Sequence, residues 1–403
     1  MSGLAKPLAR TPPPMSPPLA AFALALLMGL QSVTTDIIVP ALPMLTQALG
    51  ARMAQAQLTM SVLILTFGIT QMVWGPVADR VGRRPVLLAG LALYVVASAG
   101  CVLAGSIGAL IAWRGVQGAG LAAAVVCARA IVRDLYPPLA GARVMALALS
   151  GLGVIAVVGP PLGGAAAAWL GWRGTLGVIA AAGALALGFV AWRLPETLPA
   201  PSSAPIAVLP RTWWQIARHP VFSAWTLLVA CSYGGVFTLL AASSFVYIGV
   251  LGLSPQGQGA VLAMASLSYL TGTLVCRRWI VHHGLAGAVR RGAWFSLAGG
   301  GLMAAGAASG LHALWSVLLP HGLFMFGHGM HQPCGQAGIV APFPRAAGAA
   351  SALAGLGLAL VAFAVGQWLG LALDGTLRPM AYTLGFWAVA TAVVAWRRVP
   401  RDA

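Results

Sequence analysis

The chain has 403 residues, of which 60% are hydrophobic and only 7% are charged. Because a soluble globular protein carries about 25% charged residues, this composition excludes an ordinary water-soluble enzyme and predicts an integral membrane protein. A helix needs about 20 apolar residues to cross a bilayer. The chain therefore has room for about a dozen spans and for no large soluble domain.

Apolar windows separated by Gly, Pro and Arg clusters predict twelve spans along the chain. The predicted spans are 18–40, 54–74, 86–105, 108–132, 143–166, 175–193, 221–248, 257–276, 288–308, 312–333, 347–371 and 380–396. A proline-rich polar stretch between the sixth and seventh spans is predicted to link two six-span halves. The predicted domains are a cytoplasmic segment at 1–17, a bundle at 18–193, a cytoplasmic linker at 194–220, a second bundle at 221–396 and a cytoplasmic tail at 397–403.

The basic excess is large, with 23 Lys and Arg against 6 Asp and Glu and a formal charge of +17. Such an excess favours nucleic acid as the partner of a soluble protein, but in a membrane protein it follows the positive-inside rule. With the N-terminus inside, eighteen basic residues fall on one side of the predicted spans and only Arg52, Arg173 and Arg378 on the other. This distribution predicts two cytoplasmic termini and a lipid bilayer, not nucleic acid, as the partner.

The loop after the second predicted span combines a glycine, an Asp-Arg pair and a Gly-Arg-Arg triplet. These residues, here named the latch loop, are Gly75, Asp79, Arg80, Gly82, Arg83 and Arg84. The loop resembles a signature of the major facilitator transporters. The resemblance implies a conformational latch whose acid contacts a neighbouring helix end and releases it when the halves rock. The alternative is that its arginines only anchor the topology.

The two predicted halves repeat each other. Their first spans begin near residues 18 and 221, and the basic loops after their second spans lie near 75–85 and 276–286. Two halves in the same orientation match the parallel repeat of major facilitator transporters. The resemblance implies an all-α membrane protein of the major facilitator fold, with twelve transmembrane helices in two parallel-repeat six-helix bundles.

The fourth predicted span contains an arginine, Arg114, followed by Gln117. An intramembrane arginine is costly unless it is paired or solvated, and it is a functional candidate by default. Further along the span, Arg129, Arg133 and Asp134 belong to a string that resembles the bicyclomycin and chloramphenicol resistance (Bcr/CflA) branch of the drug:proton antiporters. For Arg133 and Asp134, a plain interfacial charge cluster is the competing interpretation.

The fifth predicted span carries Gly159, Pro160, Gly163 and Gly164 in a pattern that resembles a motif associated with antiporters. Gly159 and Gly163 are one helical turn apart and permit close backbone packing, while prolines remove backbone donors and bend the helix. The alternative is that the glycines serve packing alone and have no bearing on the direction of transport.

Asp36 is the only one of the six acids that lies inside a predicted span. Its surroundings, Thr-Asp followed by Pro40 and Pro43, resemble the first-span signature of the same branch. A carboxyl group subject both to desolvation and to a nearby arginine can change its protonation when a cavity alternates between two sides. We hypothesise that Asp36 carries the proton and binds cationic substrate, with Arg114 as its electrostatic partner. The alternative is that Asp36 caps a helix interrupted by the prolines.

Gln117, Tyr233, Tyr247, His328 and His331 are further candidates to line a cavity. The two histidines are three residues apart and share a helix face, so they either titrate near neutral pH or form a hydrogen-bonded packing element. No His, Cys, Asp or Glu spacing predicts a metal site, and no cofactor is expected.

Other functional classes fit the sequence poorly. The only lysine is Lys6, so the chain has no P-loop for an ATP-driven pump, and scattered polar residues do not predict an enzyme. The resemblance predicts a monomeric antiporter of the bacterial inner membrane that uses the proton gradient to export small amphipathic compounds, most notably antibiotics. The main alternative is a proton-coupled exporter of a metabolite such as a sugar, nucleoside or amino-acid derivative.

Overall fold

The computed structural model describes residues 15–200, 208–311, 313–344 and 346–400, which contain helices and turns but no strand. Most of the predicted N-terminal segment, part of the linker and the last three residues of the tail lie outside these ranges. The predicted cytoplasmic position of both termini therefore stays a prediction.

Twelve α-helices follow one another in the described residues. They are α1 Pro17–Asp36, α2 Leu42–Ala48, α3 Met53–Val81, α4 Arg83–Leu103, α5 Ile107–Leu135, α6 Pro138–Arg193, α7 Leu209–Ala217, α8 Pro220–Ser244, α9 Pro255–Ala308, α10 Leu314–Val340, α11 Ala347–Ala372 and α12 Arg378–Arg397. A 3-10 turn, Val39–Ala41, precedes α2, and a π-helical turn, Phe245–Val250, follows α8.

Nine helical segments of the described chain are long and apolar enough to cross a bilayer. Two of them are interrupted, because α6 and α9 leave helical geometry at Gly171 (φ 68°) and Gly284 (φ 65°). Glycine adopts positive φ without the steric cost that other residues incur. Each interruption falls between two predicted spans. The helix α10 is long enough, but its histidines and glutamines lower its hydropathy. The predicted number of twelve crossings stays a prediction.

The first helix ends earlier than predicted. A span over 18–40 was expected, but α1 ends at Asp36 and the chain continues through the turn Val39–Ala41 into α2. Pro40 and Pro43 lack the backbone N–H that a continuing helix needs, which accounts for the interruption. Asp36 therefore lies at the end of a helix.

The predicted linker is more structured than expected. Residues 209–217 form the short helix α7, which presents Trp214 at the surface with Arg218 stacked 4.3 Å above its ring. A stretch with five prolines indicates an irregular segment, but four of them precede this helix and Pro210 occupies its first turn, where proline is tolerated.

The helices form two groups. In the first half, α3 packs on α5, α4 on α5 and α6, and α1 on α6; in the second half, α9 packs on α10 and α12, and α8 packs on α10, α11 and α12. Between the halves, the main helix pairs are α3 with α11 and α6 with α9.

Hydrogen bonds join the halves at one end of the molecule. Gln57 in α3 donates to the carbonyl oxygen of Ala241 in α8 at 2.9 Å, and Gln367 in α11 donates to Ser61 in α3 at 3.0 Å. Both bonds lie toward the end opposite the arginine-rich turns. We call this end the far end and the end with the latch loop the basic end.

Glycines of α6 bring three backbones together at the interface of the halves. A methyl group placed on Gly163 would lie 2.5 Å from the carbonyl oxygen of Ile37, directly after Asp36 in the chain. One placed on Gly164 would lie 2.5 Å from the carbonyl oxygen of Pro255 in α9. The expectation that Gly159 takes part in this packing is wrong, because a methyl group there would meet nothing within 4 Å. Of these two glycines, Gly163 is therefore the one that a close backbone contact requires.

These two glycines make a matched pair for substitution. We expect Gly163→Ala to destabilise the protein by about 1–3 kcal/mol, because the added methyl group has no space against Ile37. Gly159→Ala should leave stability unchanged or raise it by a few tenths of a kcal/mol, since alanine favours helix. Thermal unfolding of both variants in detergent, followed by tryptophan fluorescence, measures the difference. Equal melting temperatures would contradict this account of α6.

Candidate functional site

The latch loop is held by two ion pairs within the first half. Arg83 contacts Asp79, one helical turn earlier, at 2.6 Å and Asp134 at the end of α5 at 2.8 Å. The Arg83 side chain is 3% exposed, so both carboxylates meet a largely buried charge. Such charge-assisted bonds are the stronger class of hydrogen bond. They tie the turn between α3 and α4 to the end of α5, which makes Asp134 more than an interfacial charge.

Glu196, which is not among the predicted site residues, completes the latch loop. Its carboxylate accepts the backbone N–H groups of Arg83 at 2.9 Å and Arg84 at 3.1 Å, the first residues of α4. A carboxylate in this place satisfies free N–H groups and interacts favourably with the helix dipole. The turn approaches Glu196 closely because Gly82, at φ 116°, has no side chain there. The available signal was the string Pro195-Glu196-Thr197, which directly follows the last span of the first half.

The remaining predicted residues of this end are spread out. A methyl group placed on Gly75 would lie 3.8 Å from the side chain of Val126 in α5. Arg84 donates to the carbonyl oxygen of Ala191 at 2.9 Å. Arg80 donates to Pro76 in its own helix at 3.4 Å. Arg129 and Arg133 are exposed. Of the residues predicted at this end, the ion pairs join Asp79, Arg83 and Asp134.

Arg114 is buried in the first half, with 1% of its surface exposed. Its guanidinium donates to the carbonyl oxygens of Thr59 in α3 at 3.1 Å and Thr34 in α1 at 3.3 Å, and to the side chain of Gln117 at 2.7 Å. Gln117 in turn donates to Ser98 of α4 at 2.7 Å. These bonds satisfy a buried cation with neutral acceptors from its own helix and from two neighbouring helices.

Two expectations about this network need correction. The predicted pairing of Asp36 with Arg114 is absent in this conformation: within the described ranges, the ion pairs are those of Arg83. Gln117, expected to line a cavity, is fully buried against Arg114. Both differences have one cause. The side-chain amide of Gln117, one helical turn from Arg114, accepts the hydrogen bond that was expected to go to the carboxylate of Asp36. The link to Asp36 is indirect and runs through the backbone of Thr34.

A cavity of about 190 Å³ lies between the halves and is lined by α1, α6, α8, α9 and α10. Its polar lining residues are Asp36, Ser266, Tyr269, His321 and His328. The other described residues that line it are Ala, Pro, Val, Leu and Met. One acid thus faces an otherwise neutral and largely apolar chamber, which is the usual character of a site for small organic molecules.

The side chain of Asp36 is free to serve the cavity. It is half-buried and accepts one hydrogen bond, from Thr35 at 2.7 Å. Neither Val39–Ala41 nor α2 receives a side-chain cap, so the alternative that Asp36 caps the interrupted helix is not realised. Tyr233 of α8, expected to line a cavity, is not among the described residues that line this one.

The helix α10 contributes three histidines to this region. His321 and His328 line the cavity, and His331 supports His328 through Ser232. His328 lines the cavity and shares the hydroxyl of Ser232 in α8 with His331, at 2.8 and 3.2 Å. His331 is fully buried and is therefore part of a hydrogen-bonded packing element, not a lining residue. Tyr247 is also buried, and its hydroxyl contacts Nδ1 of His321 at 3.0 Å.

His321 is a lining residue that sequence reasoning missed. It precedes His328 by seven residues, which is two helical turns, so both imidazoles lie on one face of α10. That spacing was the available signal. Within the described residues, no group of three or more His, Cys, Asp or Glu is arranged to hold a metal ion.

The sequence profile of the Major Facilitator Superfamily matches residues 24–367. Among similar proteins, multidrug resistance protein D of Escherichia coli is 29% identical over 82% of this chain and 83% of its own length. A chloramphenicol resistance protein of Pseudomonas aeruginosa is 32% identical over 68% of this chain and 65% of its own length. The resemblance to the drug-resistance branch, predicted from the motifs, is confirmed.

The fold is also shared with solved structures. The crystal structure of a D-xylose-proton symporter superposes with a TM-score of 0.75 over 95% of this chain and 98% of that chain, at 16% sequence identity. The all-helical architecture predicted from the sequence is thereby confirmed. The chain belongs to the Major Facilitator Superfamily and is a multi-pass membrane transporter for small molecules, not an enzyme.

Proposed function

We propose that this protein is a proton-coupled antiporter that exports small amphipathic compounds, antibiotics among them. Its relatives are named for multidrug and chloramphenicol resistance, which supports drug efflux. In this proposal the chain acts as a monomer in a bacterial inner membrane, with both termini cytoplasmic and with the proton gradient as the energy source. No cofactor takes part.

The observation that carries the coupling is the place of Asp36. Among the described residues that line the cavity between the halves it is the one acid, whereas Asp79 and Asp134 lie in the last turns of α3 and α5 and bond to Arg83. A carboxyl group in a chamber that alternates between two solutions can bind a proton from one side and release it to the other. Cargo that binds the ionised acid then competes with the proton, which makes the exchange obligatory.

Alternating access requires the contacts at the far end to open. Gln57 would leave the carbonyl oxygen of Ala241, and Gln367 would leave Ser61. Each lost bond between neutral groups costs about 1 kcal/mol, because water replaces the partner. The free energy needed to break two such bonds is small beside the free energy that a proton gradient supplies. The far end can therefore open and close reversibly during transport.

Asp36→Asn tests the coupling directly. The amide cannot ionise, so we expect transport driven by a pH gradient in everted vesicles to fall to the background of vesicles without the protein. Fluorescent-dye quenching on addition of cargo measures the proton movement. Asp374→Asn is the control: Asp374 is an exposed acid outside the helices, where it bonds only to its own turn. Full gradient-driven exchange by Asp36→Asn would sink the assignment.

A resistance panel separates drugs from metabolites as cargo. Expression in a bacterial host that lacks its own efflux pumps should raise the inhibitory concentration of chloramphenicol or bicyclomycin several-fold, and Asp36→Asn should abolish the increase. If no drug responds while vesicles still exchange protons with a metabolite mixture, the cargo is a physiological metabolite.

Glu196→Gln tests the latch loop, which we include in the proposal as the device that holds the basic end. The amide has one acceptor oxygen and no charge, so it satisfies only one of the N–H groups of Arg83 and Arg84. We expect a loss of about 0.5–2 kcal/mol, the usual cost of a weakened helix cap, seen as a lower melting temperature and slower turnover. An unchanged melting temperature and turnover would show that the N–H groups do not depend on Glu196.

A further inference from the structure

We infer that hydrogen bonds beneath the cavity fix His328 as an acceptor, so that the site prefers cargo with a charged N–H donor, a protonated amine, over a quaternary cation. This inference rests on the proposed function, because it names the chemical class of cargo for the same cavity. It uses a chain of four groups: the carbonyl oxygen of Val289, His331, Ser232 and His328.

The chain begins at a backbone carbonyl. Nε2 of His331 lies 3.2 Å from the carbonyl oxygen of Val289 in α9. A carbonyl oxygen only accepts, so Nε2 of His331 carries the hydrogen. In a neutral imidazole the other nitrogen is then an acceptor. Nδ1 of His331 therefore receives the hydroxyl hydrogen of Ser232, 3.2 Å away.

The hydroxyl of Ser232 carries this direction of hydrogen-bond donation on to His328 in the cavity wall. A serine hydroxyl has one hydrogen, and His331 takes it. The bond of 2.8 Å between Ser232 and Nδ1 of His328 must then run the other way, with Nδ1 of His328 as donor. The remaining nitrogen, Nε2, carries a lone pair. It makes no hydrogen bond to any residue in the described ranges, and His328 lines the cavity.

The other lining groups favour a cation. Asp36 lines the cavity opposite α10, and no Lys or Arg is among the described lining residues. The hydroxyl of Ser266 donates to its own helix at Leu262, which leaves its lone pairs for a ligand. The ring of Tyr269 also lines the cavity and lies 5.6 Å from that of His328.

An acceptor at His328 distinguishes two kinds of cation. A protonated amine can donate its N–H to Nε2 while its charge faces Asp36. A quaternary ammonium has the same charge and a methyl group in place of the hydrogen, so it leaves the buried lone pair without a partner. A hydrogen bond to a charged group is worth about a tenfold or larger difference in affinity.

Benzyldimethylamine and benzyltrimethylammonium are suitable probes because they differ by one N–H against one N–CH₃. Calorimetric titration of the full-length protein in nanodiscs, below the pKa of the amine, should show the amine binding about tenfold more tightly. His328→Phe keeps a ring but removes both nitrogens. It should bring the two affinities within about twofold of each other.

Ser232→Ala tests the fixed direction of the chain and leaves His328 in place. Without the hydroxyl, Nδ1 of His328 loses its acceptor and the ring can present N–H to the cavity, so the preference should fall to threefold or less, about the range of a weakened bond. The matched control is Thr238→Ala. Thr238 is another buried hydroxyl of α8, which donates to Gly234 in its own helix at 2.8 Å. The preference should survive this change.

The outcomes separate the inference from the proposed function. Equal affinities in the unaltered protein, no binding of either probe, or an equal loss of both in His328→Phe would overturn the inference. So would a preference that survives Ser232→Ala. If the amine preference is present but a pH gradient drives no uptake of benzyldimethylamine into everted vesicles, the proposed function fails and the inference stands.

Discussion

Burial of the Arg114 guanidinium in the first half sets the frame for the rest of the structure. In the interior of a membrane protein no water relieves an unsatisfied charge, so the protein itself must supply the acceptors. Arg114 takes them from Thr34 in α1, Thr59 in α3 and Gln117 in α5. Because Thr34 precedes Asp36 by two residues, the bonds that satisfy the cation also fix where the acid meets the cavity.

The interface of the halves rests on close backbone contact. Gly163 of α6 touches the backbone of Ile37 within its own half, and Gly164 touches Pro255 in the other half. Larger side chains at these two positions would keep the backbones apart, whereas glycine allows van der Waals contact between them. One turn of α6 therefore contacts both the segment that carries Asp36 and the helix that moves against it. Any rocking of α9 on α6 acts next to the acid.

The family and the all-helical architecture could be read from the sequence because hydropathy and charge leave a period and a sidedness in the chain. Contacts between distant residues could not. Nothing near Glu196 in sequence shows that it caps α4, and only the folded chain shows that Gln117 takes the bond expected of Asp36. Gly159 fits the motif as well as Gly163 does, yet only the crossing point of α1 decides which glycine is needed.

The hydrogen-bonded chain behind His328 ends on the main chain at Val289. A main-chain carbonyl is present whatever side chain occupies position 289. Substitutions at this position therefore leave Nε2 of His328 as a hydrogen-bond acceptor. Apolar lining residues such as Val236, Leu240 and Met325 have no such anchor. Single substitutions among these apolar residues can thus change the shapes of cargo that the cavity accepts, while the requirement for an N–H donor on the head group of the cargo stays the same.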